Sequence, residues 1–569
     1  MIRFRRLAAG LSAIALGTTV LALSGAAPAQ ANHIACGAMI TTDIVLDSDI
    51  GPCSGMGLHV AAHNITVDLN GYRIIGNNRF GDTAGVHLMD VHGVTVKNGT
   101  VEGFDGGVII EGGSQNTVQG ITARDNIGNG DCNFGDGIGM FDSHDNTITG
   151  NQAIHNGPYS GISAVGDSDN NLISGNTAAE NNVNSSCSGG EDEGIRIEGP
   201  GASGNRVENN VITKSLLAGV GLHGYVCSGP QSGEPNTGTT VVGNTISRSN
   251  GGANSGAPAG IAILRQGPAG IVCPSYANTI ENNTSTQNQA DGVFVSSDSA
   301  NNFIRGNTVK SNGRDGIHLS GPVFSCIGEE LGSVFDVEQP DLAPYVPGED
   351  YVVANCSGAG DVTAPVQAVG GIIIPPTPEP SSAAGCTEAD YAGFVPGNVA
   401  LVQRGTCSFV TKVALAEAAG ASAIILFNEG NPDRTAPIFF GISSDPHIPA
   451  LGTSFAVGEE LFNLLQSGDE VIVHIVVNAF ELVALVPGST QSTVADNLGR
   501  GNVVFDGFDG TLNPPCDDNI WTDNRFRTVN QRCVAAGGTG TVPPAPRVVT
   551  REVLTGATVE PSRNSSVLG

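Results

Sequence analysis

The chain has 569 residues, of which 80 are Gly, 30 are Pro and 12 are Cys. Apolar residues make up 40 % and charged residues only 14 %, so the chain can bury a sizeable core but is poor in charge. Its 25 basic and 55 acidic residues give a net charge of −30, which excludes nucleic acid as a partner and disfavours anionic membrane surfaces. The length indicates several domains or an elongated repeat fold.

The N-terminus has the pattern of a secretory signal. Three arginines precede the apolar stretch Leu7–Leu23, and Ala29 and Ala31 supply the small residues of a signal peptidase site. We therefore expect residues 1–31 to be a signal peptide and the mature protein to be secreted. No other stretch is long and apolar enough to predict insertion into a membrane.

The cysteines fall into close sequential couples, none with a CxxC spacing. This arrangement favours structural disulfides in an oxidising compartment over zinc or redox chemistry. The expected disulfides are Cys36–Cys53, Cys132–Cys187, Cys227–Cys273, Cys326–Cys356, Cys386–Cys407 and Cys516–Cys533.

A repeat organises most of the chain. A Gly-apolar-x-apolar unit, as in Gly107–Ile110 and Gly194–Ile197, alternates with an Asn-x-Ile-x-x-Asn unit, as in Asn146–Asn151. Uninterrupted periods are 24 or 25 residues. Short alternating segments predict strands, and similar segments at a fixed period must stack on one another. Asn at equivalent turns predicts hydrogen-bonded ladders and tolerates the left-handed backbone that such corners need.

This pattern resembles the right-handed parallel β-helix repeat of the pectate-lyase-like superfamily. The resemblance covers roughly residues 40–321 and 490–534 and implies an all-β solenoid of about ten coils. Its motifs are specific for the fold and not for an activity. We expect the β-helix to occupy residues 32–321 and 492–534, and a disordered tail to occupy 535–569.

The repeat is broken once, and the break predicts an inserted domain. After Gly316–Leu319 the expected Asn-x-Ile unit appears only at Ser492–Asn497, so residues 322–491 occupy one turn of one coil. Such an insertion is tolerated at an exposed turn because the two ends already lie close together.

Within the insertion, the strand that begins at Val399 is predicted to end at Arg404-Gly405, residues 412–420 are predicted to form an amphipathic helix, and a buried strand is predicted to end at Asn428. A second helix is expected to begin near Gly458. The Val-Gln-Arg-Gly-x-Cys-x-Phe run looks like that of a protease-associated (PA) domain. The resemblance implies an α+β, non-catalytic module with a core at about 385–485, which recognises proteins or acts as a lid beside the β-helix. A tethered module without contact to the β-helix face is the alternative.

Gly452–Ala456 is similar to the nucleophile motif of subtilisin-like proteases. That chemistry requires a His base and an orienting Asp in matching contexts, and the sequence contains neither context. The chain is therefore not predicted to be a protease, and a peptidase-related protein is only a minor alternative.

The outer stripe of the Gly-apolar-x-apolar strands contains the main candidate site. The apolar residues should point inward, so residue x and the residue after the unit should face solvent in a shallow groove. Glu198 is a candidate general acid or base, and Arg196 or Arg265 a candidate ligand for a uronate carboxylate. A solvated face with local ion pairs is the alternative. The predicted catalytic residues are Arg196, Glu198 and His223, and the predicted substrate-binding residues are Arg265, Phe141, Phe294 and His318.

Two further motifs have competing interpretations. Asp142–Asp145 is similar to the Asp-x-His-Asp motif of β-helical mannuronan C5-epimerases, which would make His144 and Asp145 catalytic. The same turn recurs in other coils as Asp-Ser with a final Asn, which favours a structural role. Asp291 and Asp315 precede the repeat Gly on neighbouring coils, where stacked carboxylates would be able to hold Ca²⁺. The sequence indicates no other cofactor.

Two classes of function remain open. One is a secreted polysaccharide-active enzyme, namely a lyase, epimerase or glycosidase. The other is a non-catalytic, adhesin-like protein that binds a surface or matrix. The expected partner is an extracellular polysaccharide or protein, and the chain is expected to be a monomer.

Overall fold

The computed structural model describes residues 34–543 except 78–80, 82, 129–133, 182–192, 200, 225–235, 250–258, 265–274, 328–332, 376–381, 433, 441–447, 479–480, 512–514 and 517. The predicted signal peptide, Arg265 and the end of the predicted tail lie outside the described residues. So do Cys132, Cys187, Cys227 and Cys273. The described chain forms two compact units, one of residues 34–322 and 486–543 and the other of residues 323–485.

In the first unit, the Gly-apolar-x-apolar segments form a parallel sheet, here called sheet 1, with 12 strands in the described part of the chain. Equivalent residues of successive coils are in register, since Ile195 pairs with Ile162 on one side and Val220 on the other. The strands are Ala38–Ile40, Leu58–Val60, Ala84–Met89, Gly106–Glu111, Ile138–Phe141, Ser160–Val165, Glu193–Glu198, Val220–His223, Ala259–Leu264, Asp291–Val295, Ile317–Leu319 and Gly507–Asp509.

The remaining strands of this unit form two parallel columns. Thr95–Glu102 and Thr117–Arg124 are long enough to belong to both columns. The other strands of the first column are Ile44–Val45, Thr66–Asp68, Thr147–Thr149, Leu172–Ser174, Arg206–Glu208, Thr240–Val242, Thr279–Glu281, Phe303–Arg305, Thr493–Ala495 and Ile520–Thr522. Those of the second column are Ile50–Cys53, Arg73–Gly76, Gln152–Ile154, Thr177–Ala179, Val211–Thr213, Thr245–Ser247, Thr284–Thr286, Thr308–Lys310, Leu498–Arg500, Asn524–Thr528 and Gly538–Thr541.

The inward Val, Ile and Leu side chains of all three columns form one continuous core. The repeat Gly is required because it lies against this core at close range. A Cβ on Gly194 would lie 2.4 Å from Ile212 Cγ2 and 2.7 Å from the Gly219 carbonyl oxygen. These stacked, parallel coils are those of the predicted parallel β-helix.

The predicted asparagine ladders are present. In the longest ladder among the described residues, each side-chain Nδ2 except that of the last member donates to the Oδ1 of the ladder Asn in the next coil at 2.9–3.0 Å. Its members are Asn151, Asn176, Asn210, Asn244, Asn283, Asn307, Asn497 and Asn524. The left-handed backbone belongs to the residue before each ladder Asn, such as Asn209 (φ 55°) and Asn282 (φ 54°). Each corner therefore uses two residues: the first has a left-handed backbone that turns the chain, and the second is the ladder Asn, whose buried side-chain amide bonds to the next coil.

The ladder continues across the insertion. Asn307 Nδ2 donates to Asn497 Oδ1 at 3.0 Å, and Phe303–Arg305 pairs in register with Thr493–Ala495. The chain that leaves the β-helix after Leu319 therefore re-enters it at the next position of the same coil.

The second unit contains a mixed sheet of seven strands among its described residues. Its spatial order is Val334–Gln339, Ile472–Val477, Gly360–Ala368, Val399–Gln403, Ala423–Phe427, Ala450–Thr453 and Tyr351–Val353. Its helices are Phe409–Ala418, Phe455–Ser467 and the 3₁₀ helix Glu388–Tyr391. Val323–Ile327 and Glu481–Val486 form a separate two-stranded sheet. Three strands of the main sheet precede residue 385, so the core begins earlier than predicted.

The two ends of the β-helix differ from the prediction. Among the described residues, sheet 1 has 12 strands rather than about ten, because the units at Gly37–Ile40 and Gly57–Val60 also form coils. The predicted disordered tail is wrong at its start. Helix Arg532–Ala536 leads into strand Gly538–Thr541, which pairs with Asn524–Thr528.

The disulfides Cys36–Cys53, Cys386–Cys407 and Cys516–Cys533 are formed, as predicted. Cys356 is also disulfide-bonded, while the side chain of Cys326 lies outside the described residues. Across the residues that can be described, the helices are all too short or too polar to cross a membrane.

Candidate functional site on the outer face of sheet 1

The outer stripe of sheet 1 has the predicted register but not the predicted exposure. Ser163, Arg196 and Gly221 are aligned on successive strands. However, Arg196 is 1 % exposed, Glu198 6 % and His223 5 %. The prediction of a solvent-facing groove is therefore wrong at these coils. Part of the reason is Tyr159, whose ring lies over the Arg196 guanidinium at 4.8 Å.

The buried charges of this stripe bond to one another. Arg196 donates through Nε to Glu198 Oε2 at 2.7 Å and through Nη1 to Glu193 Oε2 at 2.9 Å. His223 Nε2 lies 2.5 Å from Glu193 Oε1, and the Tyr159 hydroxyl donates to Glu198 Oε2 at 2.5 Å. We call these five residues the Arg196 cluster. The structure thus brings the three predicted catalytic residues together and adds two partners.

Local structure explains these positions. Glu193, Arg196 and Glu198 lie on one strand, and His223 pairs with Glu198 on the next strand. The sequence analysis identified neither Glu193 nor Tyr159 as part of this cluster. Tyr159 immediately precedes strand Ser160–Val165 and lies outside the repeat pattern, so no periodic signal marks it.

The electrostatics of the Arg196 cluster favour a role in stabilising the fold over a role in proton transfer. Burial raises the pKa of the Glu198 carboxyl, but the charges of Arg196 and His223 and the hydrogen bonds from Arg196 and Tyr159 outweigh it and lower that pKa to about 2. Glu198 is therefore ionised at neutral pH: it has no proton to donate as a general acid, and a carboxylate with so low a pKa is a weak general base. The two carboxylates also occupy Arg196 donors that a uronate would need.

The pH dependence of the stability of Glu198→Gln tests whether Glu198 has this structural role. A depressed pKa stabilises the fold above the ordinary value of 4.5, and this stabilisation is lost as the pH falls towards 2. Glu198→Gln should lower the free energy of unfolding by about 3 kcal/mol at pH 7, and the difference should vanish near pH 2. Urea denaturation at several pH values measures it. Glu208→Gln, at a more exposed ion pair, should change the profile little; equal losses at pH 7 and pH 2 would contradict the assignment.

His144 and Asp145 form a separate pair at a corner of the coil. His144 Nδ1 lies 3.0 Å from Asp145 Oδ2, and both side chains are about half-exposed. Asp145 has a φ of 56° and precedes the ladder residue Asn146, as Asn170 precedes Asn171 in the next coil. This position supports the structural interpretation of the Asp142–Asp145 motif.

Phe294 and His318 are buried further along the same face. The His318 ring lies between the rings of Phe294, at 5.2 Å, and Phe508, at 4.4 Å. His318 Nδ1 lies 2.9 Å from Asp315 Oδ2, beside the buried Asp291. Burial raises the pKa of Asp291 to about 6, although His318 and Arg314 partly oppose that rise. Neither Phe294 nor His318 presents an open surface to a sugar ring.

Phe141 lines a concavity near the other end of sheet 1. It is shallow and open to solvent, and it encloses only about 10 Å³, room for about one water molecule. Its lining residues are Met56, Thr83, Ala84, His87, Gly106, Ile109, Phe134 and Phe141. His87 Nε2 lies 3.3 Å from Glu111 Oε2, and the His87 ring lies 5.4 Å from that of His59.

Apart from Phe141, sequence reasoning missed this concavity. The available signal was the pair His59 and His87, which occupy position x of two successive repeat units and are in register.

The protease-like motif of the second unit has a structural role. Ser454 is the N-cap of helix Phe455–Ser467, and its Oγ accepts a hydrogen bond from the Val457 backbone N–H at 3.3 Å. The helix therefore begins before the predicted Gly458, because the Ser454 hydroxyl satisfies a free N–H at its first turn.

Comparison with known proteins gives partial matches. An aminopeptidase of Pseudomonas aeruginosa is 40 % identical over 94 residues, which are 16 % of this chain and 17 % of that protein. Probable leucine aminopeptidase 2 of Aspergillus fumigatus is 33 % identical over 134 residues, 22 % of this chain and 24 % of that protein. The chain thus spans less than a quarter of the length of these relatives.

Among solved structures, the Dettilon tailspike protein has a TM-score of 0.34 at 16 % identity, over 48 % of this chain and 47 % of that one. The periplasmic alginate epimerase AlgG has a TM-score of 0.31 at 14 % identity, over 49 % and 74 %. Such scores carry no argument about function.

Two family models match separate parts of the chain. The one described as "Right handed beta helix region" matches residues 53–225 and 183–324, and the one described as "PA domain" matches residues 362–461. The matches agree with the stacked parallel strands of the first unit and the mixed sheet of the second. The chain is therefore a right-handed parallel β-helix repeat protein with an inserted PA domain.

Proposed function

We propose that the protein is secreted and binds an extracellular polysaccharide on the outer face of sheet 1, with the PA domain as a non-catalytic recognition module. The observation that carries the proposal is the pair of partly exposed rings of Phe141 and Phe134, which line a shallow apolar depression on this face. Partly exposed aromatic rings in a concave site offer an apolar face on which sugar rings stack.

The charge of the protein favours a neutral polysaccharide. With a net charge of −30, the protein repels polyuronates at low ionic strength. Arg196, the described residue predicted to bind a uronate, donates instead to Glu193 and Glu198.

Binding without turnover, which is the non-catalytic class of function, is the form that the electrostatics support. Glu198 lacks the proton that a general acid needs, because its pKa is about 2. The Arg196 cluster is buried and internally bonded, as a stabilising ion network is.

Secretion is supported by the disulfides described above, which persist in oxidising compartments, and by the signal-like N-terminal sequence. A peptidase activity receives no support from the second unit, because Ser454 caps a helix.

Binding to polysaccharides tests the proposal directly. The purified chain should retard in affinity electrophoresis with a neutral polysaccharide, and Phe141→Ala should weaken that binding about tenfold, which corresponds to about 1.4 kcal/mol of lost stacking. Phe303→Ala removes an exposed Phe from a different column of strands and should leave binding unchanged.

The same binding experiment with pectate and alginate, which are negatively charged, tests the preference for a neutral polysaccharide. Assays for reducing ends and unsaturated products detect turnover. Release of either product would assign an enzyme rather than a binding protein. The proposal is wrong if no polysaccharide binds, or if Phe141→Ala binds as well as the unchanged protein.

A further inference from the structure

Three side chains with metal-ligating atoms converge on two adjacent coils of sheet 1. Asp291 begins strand Asp291–Val295, and Asp315 and His318 belong to the next coil. Each offers one ligand atom, and these atoms all lie within 4.8 Å of one another. All three residues are buried, so the arrangement differs from an ordinary acidic patch on a surface.

Backbone hydrogen bonds orient both carboxylates towards His318. Asp291 Oδ1 accepts the Asp315 backbone N–H at 2.8 Å, and Asp315 Oδ1 accepts that of Phe505 at 2.9 Å. The two Oδ2 atoms are left to face the imidazole, at 3.9 Å and 2.9 Å from His318 Nδ1. Such hydrogen bonds hold metal-ligating groups in place in known metal sites.

Asp291 Oδ2 is the observation that points to a missing ligand. This oxygen is fully buried and accepts no hydrogen bond. A buried carboxylate oxygen without a donor is costly, and such atoms in folded proteins often mark an absent ion or water.

We propose that Asp291, Asp315 and His318 bind one divalent cation that accepts mixed imidazole and carboxylate ligands, as Zn²⁺ and Mn²⁺ do. Imidazole nitrogen and carboxylate oxygen are common ligands of such ions. Ca²⁺ does not fit, because it takes six to eight oxygen ligands and two of the four carboxylate oxygens here already accept backbone N–H groups. The proposal therefore replaces the calcium hypothesis from the sequence and does not depend on the proposed polysaccharide binding.

Arg314 is the internal competitor of the ion. Its Nε lies 3.7 Å from Asp291 Oδ1, and its Nη2 lies 3.5 Å from His318 Nδ1. Because its side chain is 31 % exposed, it is able to move into solvent when a cation takes its place. Arg314 thus supplies positive charge to the carboxylates in the absence of an ion, and its movement would open the site to an ion from solvent.

Titration calorimetry of the chelator-treated full chain with ZnCl₂ and with MnCl₂ tests the proposal. We expect one saturable site per chain, which Asp291→Asn abolishes. Arg314→Gln should bind at least about tenfold more tightly, because it removes a like charge that contacts two of the ligand residues. Arg314→Gln keeps all three ligand residues, so its expected gain of affinity tests the site even if Asp291→Asn prevents folding.

Asp136→Asn is the matched control, because Asp136 is also buried and also directly precedes a repeat Gly. It should bind both ions as the unchanged protein does. The proposal is overturned if Asp291→Asn retains the site, if Arg314→Gln does not tighten binding, or if neither ion binds below about 100 µM.

Discussion

Replacing Arg196 with Met is expected to lower the free energy of unfolding by about 4 kcal/mol. The guanidinium is buried between the carboxylates of Glu193 and Glu198. Its removal leaves two buried negative charges whose remaining partners, within the described part of the chain, are His223 and the Tyr159 hydroxyl. Urea denaturation followed by the fluorescence of Trp521 measures the loss. This residue is the one Trp of the chain and is buried in the last coils of the β-helix.

Arg206→Met is the matched control for this experiment. Arg206 also pairs with a carboxylate of its own strand, but its side chain is 49 % exposed. Its loss should cost less than about 1 kcal/mol, because water screens such pairs. Similar losses for the two variants would show that burial of the Arg196 cluster does not determine its contribution.

Replacing Asn307 with Ala is expected to cost about 3 kcal/mol. Its Nδ2 donates to Asn497 Oδ1 and to the Ile280 carbonyl oxygen, and its Oδ1 accepts from the backbone and the side chain of Asn283. Because all these groups are buried, water cannot replace the lost amide. The same fluorescence-detected denaturation measures the change.

Asn282→Gly is the control at the adjacent corner. Asn282 is exposed and has a φ of 54°, a conformation that Gly adopts without strain, so the change should be close to neutral. If Asn307→Ala were also neutral, the ladder amides would contribute little to stability.

Sequence periodicity predicts the parts of the fold that depend on local pattern. The repeat Gly and the inward apolar residues determine sheet 1 and its register, and the Asn-x-Ile unit determines the ladders, including the continuation at Asn497. The strand at Val399–Gln403 and the helix that follows were likewise predictable from their own residues.

The features that sequence reasoning missed depend on contacts between non-repeating residues. The outer stripe is buried partly because Tyr159 covers Arg196, and no period relates the two positions. The site at His318 depends on the backbone N–H of Phe505, which bonds to Asp315 from 190 residues further along the chain. The sequence was sufficient to identify several members of these clusters, such as Glu198 and His318, but not to predict that they are buried.

The uniformity of the asparagine ladder has a consequence for how the chain finds its native alignment. Every rung offers the same amide to the rungs before and after it, so a coil displaced by one full repeat would still form ladder bonds of the same kind. The Arg196 cluster breaks that equivalence, because Glu198 has His223 beside it only when those two particular coils are neighbours. A slipped chain would bury the same charges without their partners, at a cost of several kcal/mol. The non-repeating charges therefore specify which coils are neighbours, whereas the repeat alone would allow several alignments.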